Sequence, residues 1–149
     1  MSQFFLKGPV AIGSDHAGRE LKYEITQHLH HKGFEFIEFG VDPFATKVDY
    51  PSVANLVCEA IKDSKAGFGI LVCGTGIGMA IAANRHPGIR AVDCTSEFMA
   101  TLSRAHNDAN VLTFGQRLIG PGLALSILDV FVATPFEGGR HQVRVDMLG

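Results

Sequence analysis

The eleven residues Ile70–Ala80, ILVCGTGIGMA, decide the fold of this chain. An apolar run ends on Cys73, three glycines follow at alternate positions, and helix-forming residues come next. A buried strand that turns through glycines into a helix exposes backbone N–H groups and the positive end of the helix dipole. Those dipoles favour an anion, and they also favour the thiolate form of an adjacent cysteine. The stretch therefore predicts a strand–turn–helix unit that holds an anion beside a base or a nucleophile.

The same alternation of strand and helix extends along the chain on both sides of this unit. Apolar runs predict five strands, and apolar residues at helical spacing predict a helix after each of them. Such a series needs right-handed crossovers and gives a parallel sheet covered on both faces. We therefore expect an α/β fold, a three-layer, doubly wound, Rossmann-like domain with strand order 2-1-3-4-5. The predicted strands are 10–14, 34–39, 68–73, 89–94 and 111–114, and the predicted helices are 18–31, 51–61, 79–84, 97–105 and 123–131.

Length and composition limit the classes of function. The chain has 149 residues, a formal net charge of −2 and 46% hydrophobic residues, which predicts one globular domain over 1–149 with a basic C-terminal tail at 137–149. The small net charge gives no reason to expect a nucleic-acid partner, and the apolar runs are too short to span a membrane. Three cysteines without a secretory leader favour reduced thiols and a cytoplasmic location.

Three known uses of a glycine-rich strand-to-helix turn fit this sequence poorly. A dinucleotide fingerprint that starts at Gly74 requires a glycine at position 79, which is Met79, although Asp93 partly imitates the acid that binds ribose. A cysteine phosphatase loop requires an arginine at the same position 79. A P-loop requires Gly-Lys followed by Ser or Thr, and the chain has none. An anion pocket with a thiol and the Thr75 hydroxyl remains, which suits an enediolate held by the amides of 74–78.

Other candidate residues lie at predicted loops and helix ends. The second predicted helix starts at Pro51, and the third, at 79–84, is rich in alanine and small on nearly all sides, as a packed central helix would be. His106 stands at a predicted helix end, where a structural cap and a functional role are equally good explanations. Arg140 and Arg144, four residues apart, suit a phosphate dianion as well as a solvated surface. No set of residues has the spacing of a metal site.

The motifs resemble ribose-5-phosphate isomerase type B over nearly the whole chain. They are Gly13–Gly18 (GSDHAG), Asp49–Pro51 (DYP), Cys73–Gly78 (CGTGIG), Ser103–Asn110 (SRAHNDAN) and Gly138–Gln142 (GGRHQ). The resemblance implies interconversion of ribose 5-phosphate and ribulose 5-phosphate through an enediolate, within the pentose phosphate pathway and with neither cofactor nor metal. One branch of this family uses a glutamate where this chain has Met79, so the chain resembles the branch with a cysteine base.

The resemblance also implies roles for particular residues. The catalytic residues would be Cys73 as the carbon base, Thr75 at the substrate oxygens and His106 as the acid and base of ring opening. The residues implied in binding the sugar phosphate are Asp15, His16, Tyr50, Gly74, Gly76, Ile77, Gly78, Asn107, Arg117, Arg140, His141 and Arg144.

The predicted topology sets His106 apart from Cys73. The helix that ends at His106 runs back from the carboxyl edge of the sheet, so His106 should lie at the opposite edge of its own subunit. We therefore expect a homodimer or tetramer with the active site at the subunit interface, as the resemblance also implies. Two alternatives stay open on the sequence alone, a six-carbon sugar phosphate as substrate and a flavodoxin-like nucleotide-binding module.

Overall fold

A five-stranded parallel sheet forms the centre of the computed structural model, which describes residues 4–40 and 47–149. The strands are β1 (Val10–Ser14), β2 (Phe36–Phe39), β3 (Phe68–Cys73), β4 (Ala91–Asp93) and β5 (Val111–Gly115). The helices are α1 (Arg19–His31), α2 (Tyr50–Lys62), α3 (Ile77–Ala83), α4 (Glu97–Asn107), α5 (Pro121–Ala133) and α6 (Arg140–Met147). These elements confirm the predicted α/β, doubly wound fold.

The order of the last two strands differs from the prediction. The sheet runs β2-β1-β3-β5-β4, so β5 pairs with β3 and β4 lies at the edge. The predicted order 2-1-3-4-5 is wrong because β4 has three residues and is partly exposed, whereas the five residues of β5 are all buried and suit the centre. The side chain of Asn84 covers the open edge of β4: its amide donates to Ala91 O at 2.9 Å, and Ala91 N donates back to Asn84 Oδ1 at 2.7 Å.

Two apolar layers hold the helices against the sheet. Alternate residues of the strands point to opposite faces. On one face Ile12, Ile70 and Leu112 pack with residues of α1, α4 and α5, and on the other Leu71 and Val111 pack with residues of α2 and α3. Because the strands are parallel, all of their carboxyl ends lie along one side of the sheet, here called the carboxyl edge. All of their amino ends lie along the other side, the amino edge.

The basic C-terminal segment forms a helix against the rest of the chain. Its helix α6 packs on α4, and the preceding segment is tied to α4 by the N–H of Glu137, which donates to Ala105 O at 3.0 Å. This contact places α6 next to the C-terminal end of α4. Within the described part of the chain, no helix is long and apolar enough to cross a membrane.

Candidate active site

Cys73 is the last residue of β3 and lies at the carboxyl edge of the sheet, opposite Gly115 of β5. The N–H of Gly76 donates to Cys73 Sγ at 3.1 Å, which folds the turn back over the thiol. Gly76 has φ +80°, a left-handed conformation that glycine adopts without steric cost. Met79, which stands where the dinucleotide and phosphatase motifs require a glycine or an arginine, is fully buried. The turn therefore points an amide donor at the cysteine sulfur and leads directly into α3.

Two glycines of the turn permit close approach of other site residues. The ring of Tyr50 lies so near Gly78 that an added Cβ would come within 2.8 Å of it. The side chain of Arg117 lies against Gly74, at 3.5 Å from such a Cβ. Arg117 N also donates to Gly74 O at 3.0 Å. The turn therefore has an aromatic ring on one of its glycines and a guanidinium on another.

Asp15 and His16 follow β1 at the same edge. Asp15 N donates to Val72 O at 3.2 Å, which holds Asp15 next to the end of β3. Asp15 Oδ1 accepts from Ala17 N at 2.9 Å and caps the 3-10 turn His16–Gly18. His16 is exposed, and its Nδ1 accepts from Val48 N at 3.3 Å. The structure thus brings Asp15, His16, Tyr50 and Arg117 together with the Cys73 turn.

Asp93 and Thr113 lie beneath this turn, and sequence reasoning gave neither of them a role. Thr113 Oγ1 is 2.9 Å from Gly76 O and 3.1 Å from Asp93 Oδ1. Burial raises the pKa of Asp93, and the hydrogen bond from Thr113 acts in the opposite direction. The strand register is the signal that relates these residues, since Asp93 and Thr113 are partners across β4 and β5.

His106 lies at the amino edge of the sheet in a second cluster, which also contains Glu137, Arg140, His141 and Arg144. His106 and Asn107 end α4, and β5 then begins at Val111 opposite Gly69 of β3. Cys73 is four residues further along β3, about 13 Å at the usual rise per strand residue. Within one subunit the structure therefore does not bring His106 and Asn107 to the Cys73 turn.

His141 stacks on His106 in this second cluster, with ring centroids 4.2 Å apart and an interplanar angle of 13°. His141 is only 7% exposed, and its Nε2 makes no hydrogen bond among the described residues, although Glu137 Oε2 lies 3.5 Å away. Burial lowers the pKa of His141, and the nearby His106, Arg140 and Arg144 lower it further, while Glu137 opposes them. A buried neutral imidazole next to two arginines is suited to bind an anionic or hydroxyl-bearing ligand.

Potential metal ligands occur in this cluster, but their arrangement disfavours a cation. Ligand atoms of His106, Glu137 and His141 lie within 4.8 Å of one another. However, the lone pairs of two stacked, nearly parallel imidazoles do not converge on one point, and Arg140 and Arg144 add positive charge. The cluster as a whole therefore suits a phosphate better than a metal ion.

Comparisons with known proteins identify the family and several relatives of this chain. The family model described as Ribose/Galactose Isomerase matches residues 10–148. Ribose-5-phosphate isomerase B of Escherichia coli is 47% identical over 139 residues, which cover 93% of each chain. D-erythrulose-4-phosphate isomerase of Pectobacterium atrosepticum is 43% identical over 94% of this chain and 92% of its own. The structure of ribose 5-phosphate isomerase B from Anaplasma phagocytophilum superposes with a TM-score of 0.93, at 49% identity and 99% coverage of both chains.

Gly76 and Gly74 are expected to differ in how much an alanine substitution destabilises the protein. In Gly76→Ala the new Cβ collides with Asp93 Oδ1, and the alanine has to adopt φ +80°, which is strained for a residue with a side chain. We expect this variant to lower the free energy of unfolding by about 1–3 kcal/mol, measured by urea denaturation. In Gly74→Ala, the matched control, the Cβ makes ordinary contact with Arg117, and a change within about 0.5 kcal/mol is expected. Equal losses in both variants would contradict the role of Gly76 in the turn.

Proposed function

The chain belongs to the ribose/galactose isomerase family and is an aldose–ketose isomerase; we propose that it converts ribose 5-phosphate to ribulose 5-phosphate with Cys73 as the carbon base. The contact between Gly76 N and Cys73 Sγ, at 3.1 Å, carries this proposal. This contact places an amide donor against the Cys73 thiol, at the carboxyl ends of the strands where Asp15, His16 and Tyr50 also lie. This family assignment is the reason to prefer an isomerase over a flavodoxin-like nucleotide-binding module.

The proposed reaction moves one proton between neighbouring carbons. The Cys73 thiolate removes the proton from C2 of the open-chain aldose, and the electron pair shifts to the carbonyl oxygen on C1 to give an enediolate. Amides of the 74–78 turn stabilise the negative oxygen, because preorganised donors act most strongly where charge develops. Cys73 then returns the proton to C1, and the carbonyl forms at C2. No electrons leave the substrate, so the step requires no redox cofactor, and the turn amides would supply the stabilisation of negative oxygen that a metal ion could otherwise give.

Thr75 is the proposed carrier of protons between the two substrate oxygens. It is half-buried in the turn, and its Oγ1 accepts from Ile77 N at 3.2 Å. A hydroxyl held by one donor keeps its own proton free to pass to an enediolate oxygen and to accept another in return. Asp15 and His16 would bind the sugar hydroxyls, together with Tyr50.

A second copy of the chain is the proposed source of the remaining site residues. His106 and Asn107 would open and orient the sugar ring, and Arg140, His141 and Arg144 would hold the phosphate. These residues lie on α4 and α6 at the amino ends of the strands, and Val111, where β5 begins after α4, is level with Gly69, four residues or about 13 Å along β3 from Cys73. Arg117 lies in the Cys73 half of the site and would approach the substrate from the same subunit as the thiol.

Exposed apolar residues beside each half of the site support a homodimer. Ile77 and Ile81 of α3 are 53% and 57% exposed, and Leu56 of α2 is 45% exposed. Met147 and Leu148 next to the second cluster are 80% and 65% exposed. Contact between these patches across a two-fold axis would cover both and would bring the second cluster to the Cys73 turn.

The number of carbon atoms in the sugar phosphate is a separate part of the proposal. The family description includes galactose, and one relative is named for a four-carbon sugar phosphate. An activity panel of four-, five- and six-carbon sugar phosphates, with and without a chelator, tests the preference for ribose 5-phosphate and the independence from metal. Faster turnover of a six-carbon substrate such as galactose 6-phosphate or allose 6-phosphate would favour the alternative.

We also propose that residues 1–149 form one domain in the cytoplasm. The C-terminal segment 137–149 packs on α4, which supports the first point. The three cysteines Cys58, Cys73 and Cys94 are all free thiols, which is typical of a reducing compartment.

Removal of the Cys73 thiol is expected to abolish isomerisation and leave binding intact. Cys73→Ala should lower kcat at least about 100-fold, the usual contribution of a general base, while the Kd for ribose 5-phosphate measured by calorimetry changes little. Cys58→Ala is the matched control, because burial raises the pKa of Cys58 to about 11 and keeps it an unreactive thiol. Near-normal turnover in Cys73→Ala would show that the base is another group.

A charge on the exposed face of α3 is expected to separate the subunits. Ile81→Asp should sediment as a monomer and lose at least about tenfold in kcat/KM, because the monomer lacks the second half of each site. Tyr23→Asp, an equally exposed position on the opposite layer of the molecule, should sediment as the wild type does. A fully active Ile81→Asp monomer would contradict the shared site.

A further inference from the structure

The C-terminal end of α4 is closed by an aspartate in the left-handed conformation. Asp108 has φ +47° and ψ +45°, and its N–H donates to Arg104 O at 3.2 Å. His106 and Asn107 are the last two residues of α4. The conformation of Asp108 therefore sets the path of the chain directly next to both of them.

An aspartate is a less favourable residue for this position than glycine in two respects. Glycine reaches the left-handed region without steric cost and is the usual residue at the end of a helix. Within residues 4–40 and 47–149, Asp108 and Ser64 are the two residues other than glycine with a positive φ. A carboxylate at this end also faces the negative end of the helix dipole. Neither the backbone nor the dipole selects Asp108, so the reason for it lies in the contacts of its carboxylate.

Two arginines bind this carboxylate, one at each oxygen. Arg104 Nη1 donates to Asp108 Oδ1 at 2.8 Å, and Arg90 Nη2 donates to Oδ2 at 3.3 Å. Arg104 is only 4% exposed, and its guanidinium also donates to Ala109 O at 2.6 Å. Hydrogen bonds between charged groups are stronger than neutral ones, and a buried guanidinium is costly to leave without its carboxylate. Asp108 is therefore held by its side chain as well as by its backbone.

The two arginines extend from the carboxylate to the backbone on either side of it. Arg90, in the loop before β4, donates its Nε–H to Asn107 O at 2.9 Å and lies 3.0 Å from Asp108 O. In the other direction, Arg104 Nε donates to Thr134 O at 3.3 Å, in the segment that leads to α6. The carboxylate thus connects the end of α4 with the loop before β4 and with the segment that precedes α6.

We propose that Asp108 is a positioning residue of the isomerase: its carboxylate, held by the two arginines, fixes the last turn of α4 and so presents His106 and Asn107 to the substrate. This inference rests on the ring-opening role proposed for His106 and deepens it. Asp108 makes no contact with substrate in the proposed mechanism and acts through the backbone on either side of it. If it only ended the helix, a glycine would replace it without loss.

Glycine at position 108 separates a helix cap from a positioning carboxylate. Asp108→Gly keeps the left-handed conformation and removes both carboxylate oxygens, so kcat on ribose 5-phosphate should fall about tenfold through displacement of His106. Asp108→Asn keeps one acceptor oxygen and should lie between this variant and wild type. Ser64→Gly, the matched control after α2, should keep kcat within about twofold of wild type. A wild-type kcat in Asp108→Gly would overturn the proposal.

Binding of an open-chain ligand distinguishes positioning from a general loss of structure. Ribulose 5-phosphate forms no ring, because its phosphate occupies the hydroxyl that would attack the carbonyl. In a Cys73→Ala background, its Kd measured by calorimetry should change less than about twofold when Asp108→Gly is added, since this ligand needs no ring opening. A loss of affinity as large as the loss of kcat would mean that the whole second cluster is disturbed, and it would overturn the positioning role.

The stacked imidazoles of the second cluster give a readout that needs no turnover. His106 and His141, with centroids 4.2 Å apart, shift each other's ring-proton signals in NMR spectra. Asp108→Gly should reduce this shift, Asp108→Asn should reduce it less, and Ser64→Gly should leave it unchanged. An unchanged stack in folded Asp108→Gly would overturn the inference even in an active isomerase.

These measurements also separate the inference from the proposed function. If the protein isomerised no sugar phosphate, the proposed function would fall, and the NMR shifts would still decide whether Asp108 positions His106. Should Asp108→Gly fail to fold, Arg90→Gln removes the other half of the bridge at a side chain that is 21% exposed, and it takes the place of Asp108→Gly in each measurement with the same expected results.

Discussion

The left-handed conformation of Gly76 is the constraint on which the candidate site depends. At φ +80° this residue donates its N–H to Cys73 Sγ and turns the chain into α3. Its carbonyl accepts from Ala80 N at 3.0 Å in the first turn of α3 and lies 2.9 Å from Thr113 Oγ1. A residue with a side chain would be strained there and would collide with Asp93. One glycine therefore connects the proposed base, the amides proposed to bind the anion, and the Asp93–Thr113 pair below them.

The parallel sheet is the reason for the second part of the proposal, an active site shared between two subunits. In a parallel α/β sheet each strand ends at one edge and each helix returns to the other. Cys73 is at the first edge because it ends β3, and His106 is at the second because it ends α4. A monomer cannot remove this separation without unfolding an element. Two copies in the proposed symmetric dimer would complete two sites at once, and burial of the apolar residues exposed beside both halves would stabilise such a dimer.

The local parts of this arrangement were predictable from the sequence. Apolar periodicity located all five strands and the first five helices, and the motif around Cys73 indicated the turn, whose chemistry stays a prediction. The order of β4 and β5 was not predictable in this way, because it depends on which strand is long enough and buried enough to occupy the centre. The packing expected of the central helix holds on one side only within the subunit, since Met79 and Ala83 are buried whereas Ile81 is 57% exposed. The pairing of Asp93 with Thr113 arises from register between distant segments, which periodicity along one segment does not contain.

The kinetics of a mixed dimer test the shared site most directly. Cys73→Ala and His106→Asn subunits, carrying different affinity tags and co-expressed, yield a heterodimer in which one site carries both changes and the other carries neither. We predict about half of the wild-type activity per heterodimer on ribose 5-phosphate, whereas both variant homodimers are nearly inactive. A heterodimer as inactive as the two homodimers would mean that Cys73 and His106 act from the same subunit, and it would contradict a site shared between two subunits.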